Sequence, residues 1–192
     1  MPETDVTAKA GTTRVSRKAL VILAFAAVCI YSFDQVTKYF VEKNLTVGET
    51  VPFIGELLQF HFVRNPGAAF SIGAGTTWIF AIIAGAVAVF IVIFARRIRS
   101  VGWAVLFGLL LGGTLGNLTD RLFREPGFGQ GHVVDFLQLY AFPAIFNIAD
   151  IAIVSSMGLF IILTIRGIRL DGTKTPPAPK KSAVASDTPP EE

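Results

Sequence analysis

The chain has 192 residues, of which 52% are hydrophobic and only 16% charged, and its mean hydropathy is +0.59. This composition lies outside the usual range of soluble proteins and indicates a membrane protein whose length suits one compact helical domain. The net charge of +3 is too diffuse to favour a nucleic-acid partner, and the single cysteine, Cys29, excludes an internal disulfide. We therefore expect membrane lipid to surround the chain and no nucleic acid to bind it.

Four apolar stretches are long enough to cross a membrane as helices. The first follows a polar N-terminal segment and has no convincing cleavage site at its end, so we expect it to be retained as a span. The C-terminal segment is rich in Pro, Lys, Ser and Ala without an apolar period, which predicts disorder. The predicted parts are a disordered tail over residues 1–17, a transmembrane domain over residues 18–170 with spans at about 19–41, 78–95, 101–118 and 145–165, and a disordered tail over residues 171–192.

Basic residues set the expected orientation of these spans. Most of the 17 Lys and Arg residues precede the first span, lie between the second and third, or follow the fourth. Because cytoplasmic segments of membrane proteins are enriched in Lys and Arg, we predict that both termini and the short RRIRS turn are cytoplasmic. The two longer loops, residues 42–77 and 119–144, then face the outside.

Each of the outer loops contains a short strand pattern. In the first, apolar Leu58, Phe60 and Phe62 occupy every second position, and the NPG sequence that follows has turn composition. In the second, the turn sequence EPGFGQG precedes the strand-like run HVVDF. We therefore predict an all-α membrane protein with four transmembrane helices and a small extracytoplasmic β element.

Polar side chains within the spans share one depth. Asp34 and Asp150 each lie about 16 residues, or roughly 24 Å of helix, from the nearest cytoplasmic basic residue, and Asn117 lies roughly 27 Å from its own. With a hydrocarbon core about 30 Å thick, three helices place polar groups in one layer just inside the outer boundary. Charged side chains at such positions usually face the interior of a helix bundle.

Helical spacing also places these polar residues on common faces. The groups are Asp34 with Lys38, Asn117 with Asp120 and Arg121, and Asn147 with Asp150. We interpret each group as facing the bundle interior. The alternatives are a surface ion pair worth a few tenths of a kcal/mol for the first group and an interfacial anchor for the second.

Two carboxylates, Asp135 and Asp150, lie close in a stretch with few other polar groups. One interpretation is a catalytic pair; the other is a solvated loop acid plus a helix-start acid that favours the helix dipole, and this stretch alone does not separate them. At the level of function, the alternatives to an enzyme are a small membrane carrier or proton relay and a structural scaffold. A relay should extend across the membrane, whereas the cytoplasmic halves of the spans lack ionisable residues, and a scaffold leaves the shared depth unexplained.

The glycine, histidine, serine and cysteine patterns indicate structural roles rather than a metal site or a catalytic nucleophile. Gly108, Gly112 and Gly116 recur at four-residue intervals and predict the close approach of another helix. His61 and His132 have no third ligand at a familiar spacing, so we expect no metal site and no cofactor. No Ser or Cys has a base at a recognisable spacing, which argues against covalent catalysis.

Five sequence blocks resemble those of a known family, the lipoprotein signal peptidases, also called signal peptidase II. The blocks are DQVTK at 34–38, NPGAAFS at 65–71, GGTLGNLTDR at 112–121, GHVVDF at 131–136 and FNIAD at 146–150. Their order and spacing match the family, and the match covers most of the predicted membrane core. The composition of the tails hints at an actinobacterial source.

The resemblance implies an intramembrane aspartic endopeptidase of the bacterial cytoplasmic membrane, with four transmembrane helices, a β-cradle and an active site near the outer face. Such an enzyme removes signal peptides from prolipoproteins by cleaving before a diacylglyceryl-modified cysteine, and we expect it to act as a monomer without a cofactor. By the same resemblance, Asp135 and Asp150 form the catalytic pair. From the chemistry of the site we further expect Arg121 to meet the lipid headgroup or to brace Asp120. The other positions that match functional positions of the family are Asp34, Lys38, Asn65, Asn117, Asp120, Arg121 and Asn147.

Overall fold

The computed structural model describes residues 15–67 and 76–174. Within these ranges, helices and pairs of short strands alternate along the chain. The elements are α1 (Arg17–Asn44), β1 (Thr50–Ile54), β2 (Leu58–Asn65), α2 (Thr77–Phe94), a short 3₁₀ helix (Ala95–Arg97), α3 (Val101–Phe123), β3 (Val133–Leu139), β4 (Ile145–Phe146) and α4 (Ile148–Ile165).

All four helices are long and apolar enough to cross a membrane. The first strand pair joins α1 to α2 and the second joins α3 to α4, so the strands lie at one end of the helices, which we call the sheet end. The strands form one antiparallel sheet in the order β1-β2-β3-β4. The predicted class, a four-helix membrane protein with a small β element, is confirmed.

Helix α3 packs against each of the other three helices, and its glycines allow the close approach. A Cβ added at Gly112 would lie 2.7 Å from the carbonyl oxygen of Ala27 in α1, and one added at Gly108 would lie 2.7 Å from that of Leu23. A Cβ at Gly113 would collide in the same way with the backbone of α4. The predicted close approach therefore occurs between α3 and two of its neighbours.

The sheet has a small apolar core of its own. Phe62 of β2 packs with Val134 and Phe136 of β3 and with Val41 near the end of α1. Side chains alternate between the two faces of a strand, so Asp135 points away from this core and toward the helices. β3 is thus buried on both faces and carries a carboxylate on one of them.

Helix α4 begins at Ile148, slightly later than the span predicted to start near residue 145. Ile145 and Phe146 pair with β3 instead, and Asn147 caps the helix. Sequence hydropathy alone does not separate a two-residue apolar strand from the apolar helix that follows it. The difference matters because it turns Asn147 from a helical residue into a residue at the junction of sheet and helix.

The segment after α4 folds back against the turn between α2 and α3. The backbone N–H of Ser100 donates to the carbonyl of Leu170, and the indole of Trp103 donates to that of Ile168. The tail that we predict to be disordered begins at residue 171, and its first four residues form a turn in this segment. The remaining parts of the predicted tails, residues 1–14 and 175–192, and residues 68–71 of the NPGAAFS block lie outside the described residues.

Candidate active site

The first turn of α4 fixes the position of Asp150. The side-chain oxygen of Asn147 accepts a hydrogen bond from the N–H of Asp150 at 3.0 Å, and Asp150 Oδ2 accepts one from the N–H of Asn147 at 3.1 Å. This reciprocal arrangement is a capping box, which satisfies backbone donors that a helix start leaves without partners. It also places the acidic side chain where the helix dipole favours a negative charge.

Asp135 lies within β3, and only 3% of its surface is exposed. Its two carboxylate oxygens accept hydrogen bonds from two amides, from Asn147 Nδ2 at 2.6 Å and from Asn65 Nδ2 at 2.9 Å. Asn65 ends β2, the strand that pairs with β3, and its own side-chain oxygen accepts from the N–H of Gly67 at 3.0 Å. Strand pairing and the NPG turn thus orient the Asn65 amide toward Asp135.

Asn117 of α3 connects the surroundings of the two aspartates. Its Nδ2 donates to Asp150 Oδ1 at 2.9 Å, and its Oδ1 accepts from Asn147 Nδ2 at 3.1 Å. Because Asn147 Nδ2 also donates to Asp135, one continuous set of hydrogen bonds joins the carboxylates of β3 and α4. Three different elements therefore position the two acids relative to each other.

The surroundings of Asp135 change its acidity. Burial raises the pKa of the Asp135 carboxyl from the usual 3.8 to about 7, and the negative charge of Asp150 adds to the rise. The hydrogen bonds from Asn65 and Asn147 act in the opposite direction without cancelling it. A carboxyl group with a pKa near neutral pH can exchange a proton during a reaction, and such groups concentrate at functional sites.

Behind Asn117 lies a buried ion cluster formed by Asp34, Lys38 and Asp120, none of which has an exposed side-chain surface. Lys38 Nζ lies 2.8 Å from Asp34 Oδ2 and 2.7 Å from Asp120 Oδ2. It also donates to Asn117 Oδ1 at 3.0 Å, so each of its three N–H groups has an acceptor. Two carboxylates paired with one ammonium leave a net negative charge in the protein interior. Burying this charge costs free energy unless a second cation neutralises it.

Arg124 supplies that cation, and Gln35 adds further donors. Arg124 Nε donates to Asp120 Oδ1 at 2.7 Å, and its guanidinium also pairs with Glu42. Gln35 Nε2 donates to the carboxylates of Asp34 at 3.1 Å and Asp120 at 3.2 Å. The sequence analysis did not single out either residue. The four-residue spacing from Asp120 was the available signal for Arg124, whereas nothing distinguished Gln35 from a surface amide.

Arg121 lies beside the aspartates and outside the ion cluster. Its Nη2 donates to the carbonyl of Gly67 at 3.0 Å and its Nη1 to the carbonyl of Asn117 at 3.2 Å. Of the two expected roles of Arg121, the ion pair with Asp120 is made in this structure by Arg124, one turn beyond Asp120 on α3. Arg121 instead joins the turn after β2 to α3 at the rim of a cavity.

This cavity has a volume of about 840 Å³ and opens beside the two aspartates. Its polar lining includes Asp135, Asp150, Asn65, Asn117 and Arg121. Most of the remaining wall is apolar and comes from β3, β4 and α4, including Leu137, Leu139, Ile145, Phe146, Ile153 and Val154. A mostly apolar cavity with a few convergent polar groups is typical of a substrate or ligand site.

The residues predicted from the sequence come together at the sheet end of the helices. Each of them lies in the hydrogen-bonded network or on the cavity wall. They are Asp34, Lys38, Asn65, Asn117, Asp120, Arg121, Asp135, Asn147 and Asp150. His61 lies apart from them and forms a hydrogen bond with Gln138 of the adjacent strand at 2.9 Å. Among residues 15–67 and 76–174, no cluster of His, Cys, Asp and Glu side chains is suited to hold a metal ion.

The fold and the site define a class of protein: a multi-pass membrane protein with paired carboxylates beside an apolar cavity. The chain matches the family Signal peptidase (SPase) II over residues 26–166. It belongs to the signal peptidase II family and is therefore a peptidase of a bacterial membrane. The family predicted from the five sequence blocks is confirmed.

Individual relatives support this assignment. The chain is 63% identical to a lipoprotein signal peptidase of Leifsonia xyli subsp. xyli over 162 residues, which cover 84% of this chain and 75% of the relative. It is 45% identical to a lipoprotein signal peptidase of Streptomyces griseus subsp. griseus over 181 residues, which cover 90% of this chain and 91% of the relative. A solved structure of a bacterial membrane enzyme is similar with a TM-score of 0.68 at 32% identity, covering 79% of this chain and 91% of the other.

Proposed function

We propose that the protein is an aspartic endopeptidase that removes signal peptides from prolipoproteins by cleaving before the diacylglyceryl-modified cysteine. The observation that carries this proposal is the pair of carboxylates, Asp135 and Asp150, held in one hydrogen-bonded network beside an apolar cavity of about 840 Å³. Similar proteins from Leifsonia and Streptomyces are lipoprotein signal peptidases, which supports a prolipoprotein as the substrate.

In the proposed reaction, a water molecule between the two carboxyl groups is the nucleophile. One aspartate takes a proton from this water, which attacks the carbonyl carbon of the scissile peptide bond. The other aspartate is protonated, donates a hydrogen bond to the developing oxyanion, and the pair then passes a proton to the leaving amine. The raised pKa of Asp135 supports that residue as the one that holds the proton. This mechanism needs neither a covalent intermediate nor a cofactor.

The amides around the pair have a positioning role in this proposal. Asn65 and Asn147 hold the Asp135 carboxyl, and Asn117 holds that of Asp150. Arg121 lies on the same cavity with its guanidinium between the turn after β2 and α3, where it can meet a substrate backbone or a lipid headgroup. The apolar wall of β3, β4 and α4 provides a surface for the acyl chains of the modified cysteine.

The proposed orientation places the sheet end at the outer face of the cytoplasmic membrane and both termini in the cytoplasm. Basic residues at the opposite end of the helices, among them Arg96, Arg97 and Arg166, support this orientation. The proposed site is then close to the outer face, where a secreted precursor emerges. We propose a monomeric enzyme that works on membrane-tethered prolipoproteins.

A carrier or proton relay receives less support from the same helices. α2 carries no ionisable residue, and α4 carries none after Asp150. A relay across the membrane needs polar or ionisable groups along its path. The buried charged residues Asp34, Lys38, Asp120 and Asp135 lie at one end of the helices, which favours a site that meets its substrate from that side.

The test is incubation of the purified protein with a prolipoprotein that carries the diacylglyceryl-modified cysteine. We expect two products, a free signal peptide and a lipoprotein whose new N-terminus is the modified cysteine, identified by mass spectrometry. The matched control is the Asp150→Asn variant, which retains the cavity and should give no product. An intact precursor with the unmodified enzyme, or cleavage at another bond, would overturn the proposal.

A further inference from the structure

The orientation of the Asn117 amide is set by what faces it. Lys38 Nζ is a donor only, so the Asn117 atom that it contacts at 3.0 Å must be the side-chain oxygen. The amide nitrogen of Asn117 then points the other way, toward Asp150 Oδ1 at 2.9 Å. Asn147 Nδ2 also donates to this oxygen at 3.1 Å, so two donors hold the amide in this orientation, and Lys38 is the charged one.

The position of Lys38 is itself fixed from several sides. Its remaining N–H groups contact Asp34 and Asp120, and all three residues are fully buried. Asp34 Oδ1 also accepts a hydrogen bond from the N–H of Ala149 at 3.0 Å, which ties the ion cluster to the first turn of α4. The cluster and Asp150 are thus attached to the same turn and connected through a single amide.

We infer that Lys38 is a positioning residue that locks the Asn117 amide with its donor toward Asp150, and thereby keeps Asp150 as the ionised base of the catalytic pair. This inference rests on the proposed aspartic mechanism. It assigns the two roles within the pair, Asp150 as the base and Asp135 as the carrier of the proton. The effect of Lys38 passes through Asn117, because the ammonium has no direct contact with Asp150.

The groups around Asp150 agree with this assignment. Asp150 Oδ1 accepts from Asn117 and Oδ2 from the N–H of Asn147, so both oxygens are engaged by donors. The charged side chains of the neighbouring elements are Asp135 of β3, Arg121 of α3 and, one amide further, Lys38 of α1. Asp34 and Asp120 also carry negative charge near this turn, but both are paired with Lys38, and Asp120 also pairs with Arg124. The donors that contact the Asp150 carboxylate directly are therefore the Asn117 amide and the N–H of Asn147 at the helix start.

The test is a double-mutant cycle on cleavage of a lipidated prolipoprotein by the full-length enzyme in detergent. The first change is Asp34→Asn together with Lys38→Met, which removes the ammonium while the buried net charge stays the same, since Asp120 and Arg124 remain paired. The second change is Asn117→Leu. We expect each to lower kcat roughly 10- to 100-fold with little change in KM, as for the loss of one charge-assisted hydrogen bond.

The combined variant decides the inference. If Lys38 acts through Asn117, all three changes together should lower kcat no further than Asn117→Leu alone, and the low-pH limb of the kcat/KM profile should move to higher pH by a similar amount in each variant. The control is Ser156→Ala, which changes a buried polar residue of α4 outside the network. In the variant that combines Ser156→Ala with Asn117→Leu, the fold losses in kcat of the two single changes should multiply. The inference would be overturned if the fold losses in kcat from the Lys38 change and from Asn117→Leu multiplied in the combined variant. It would also be overturned if the low-pH limb of the kcat/KM profile stayed where it is in the unmodified enzyme.

Two further measurements keep the outcomes separate. Thermal unfolding in detergent establishes that each variant is folded, and Asp34→Asn with Lys38→Gln takes the place of the Met variant in the cycle if the latter unfolds. The Asp135→Asn and Asp150→Asn variants test the aspartic mechanism itself. If these two retain turnover, the proposed function fails; if they are inactive and the cycle is multiplicative, only the role of Lys38 fails.

Discussion

Asp135 and Asp150 belong to one hydrogen-bonded network, yet their surroundings favour different charge states. Asp150 lies at a helix start, where a backbone N–H and the helix dipole stabilise a carboxylate. Asp135 lies in a strand that is buried on both faces, and its donors are two neutral amides. Burial raises the pKa of Asp135 to about 7, which supports Asp135 as the residue that keeps a proton near neutral pH.

Loss of either acid should stop the proposed reaction. We expect Asp135→Asn and Asp150→Asn each to lower kcat by several orders of magnitude, because an amide can neither accept the proton of water nor deliver one to the leaving amine. The double variant should be little worse than either single variant, as for residues that act as a unit. Cleavage assays on folded, membrane-extracted protein check this, and near-normal turnover by either variant would exclude the mechanism.

The raised pKa of Asp135 also predicts a pH dependence of stability. The folded protein holds a proton on Asp135 up to about pH 7, whereas the unfolded chain releases it above the usual pKa of 3.8. Between these values the native state binds more protons than the unfolded state, so the contribution of Asp135 to the free energy of unfolding falls as the pH rises. Asp135→Asn should remove this contribution and gain stability relative to the parent protein at about pH 8.

The measurement for this prediction is thermal unfolding in detergent at about pH 5 and about pH 8. The difference between the two midpoints should be larger for the parent protein than for Asp135→Asn. Leu137→Ala, a change in the same strand without a titratable group, is the control and should shift both midpoints equally. The same pH response in the parent protein and in Asp135→Asn would contradict the assigned acidity of Asp135.

At the residue scale, sequence reasoning found the charged and amide residues that lie at one depth of the membrane. It worked for Asp34, Asn117 and Asp150 because a helix converts residue number into depth at about 1.5 Å per residue. It missed Gln35 and Arg124, whose roles depend on which helices face each other. The depth of a residue along its own helix, estimated from the rise per residue, does not contain that information.

At the scale of elements, strand β2 was predictable because its apolar residues alternate with other residues. The start of β3 was predictable because β-branched residues follow a turn sequence. β1 was not predicted, because its residues are mostly exposed and include Pro52, which weakens the strand pattern. β4 was merged with α4, since Ile145 and Phe146 are as apolar as the helix. The boundary became visible only through the cap at Asn147 and the pairing with β3.

The contact between α3 and α1 gives a prediction about glycine. Gly112→Ala would place a methyl group 2.7 Å from the carbonyl oxygen of Ala27 and 2.8 Å from Ile30 Cβ, so the helices would have to separate. We expect a loss of about 1–3 kcal/mol in unfolding free energy, as for other overpacked sites.

Gly158→Ala in α4 is the matched control, because nothing lies within 4 Å of its added methyl group. This variant should change the unfolding free energy by less than about 0.5 kcal/mol. Unfolding in detergent with increasing denaturant provides the comparison. Equal effects of the two alanine substitutions would mean that the approach of α3 to α1 does not depend on the absence of a side chain at Gly112.

At the scale of the whole molecule, both strand pairs lie at the same end of the helices, which collects the polar side chains of α1, α3, α4 and the sheet there. The proposed orientation puts this end outside the cytoplasm. In a Cys29→Ser background, cysteines introduced at Glu56 or Gly129 should react with an impermeant thiol reagent in intact cells. Cysteines at Thr13 or Ser186 should react only after lysis, and the reverse labelling pattern would reject the orientation.

The substrate of the proposed reaction must reach a site that lies near the edge of the hydrocarbon layer, and its lipid can supply the binding energy. Burial of an acyl chain against the apolar wall that includes Leu137, Ile153 and Val154 would contribute about 0.8 kcal/mol per CH₂ group and hold the modified cysteine at the depth of Asp150. A prolipoprotein with an intact signal sequence but without the diacylglyceryl group should therefore be cut at least about 100-fold more slowly, because its scissile bond is no longer held beside the aspartates. The two substrates are compared at equal concentration in the same detergent by the rate at which signal peptide is released. Equal rates would point to a general intramembrane peptidase whose cavity does not select for lipid.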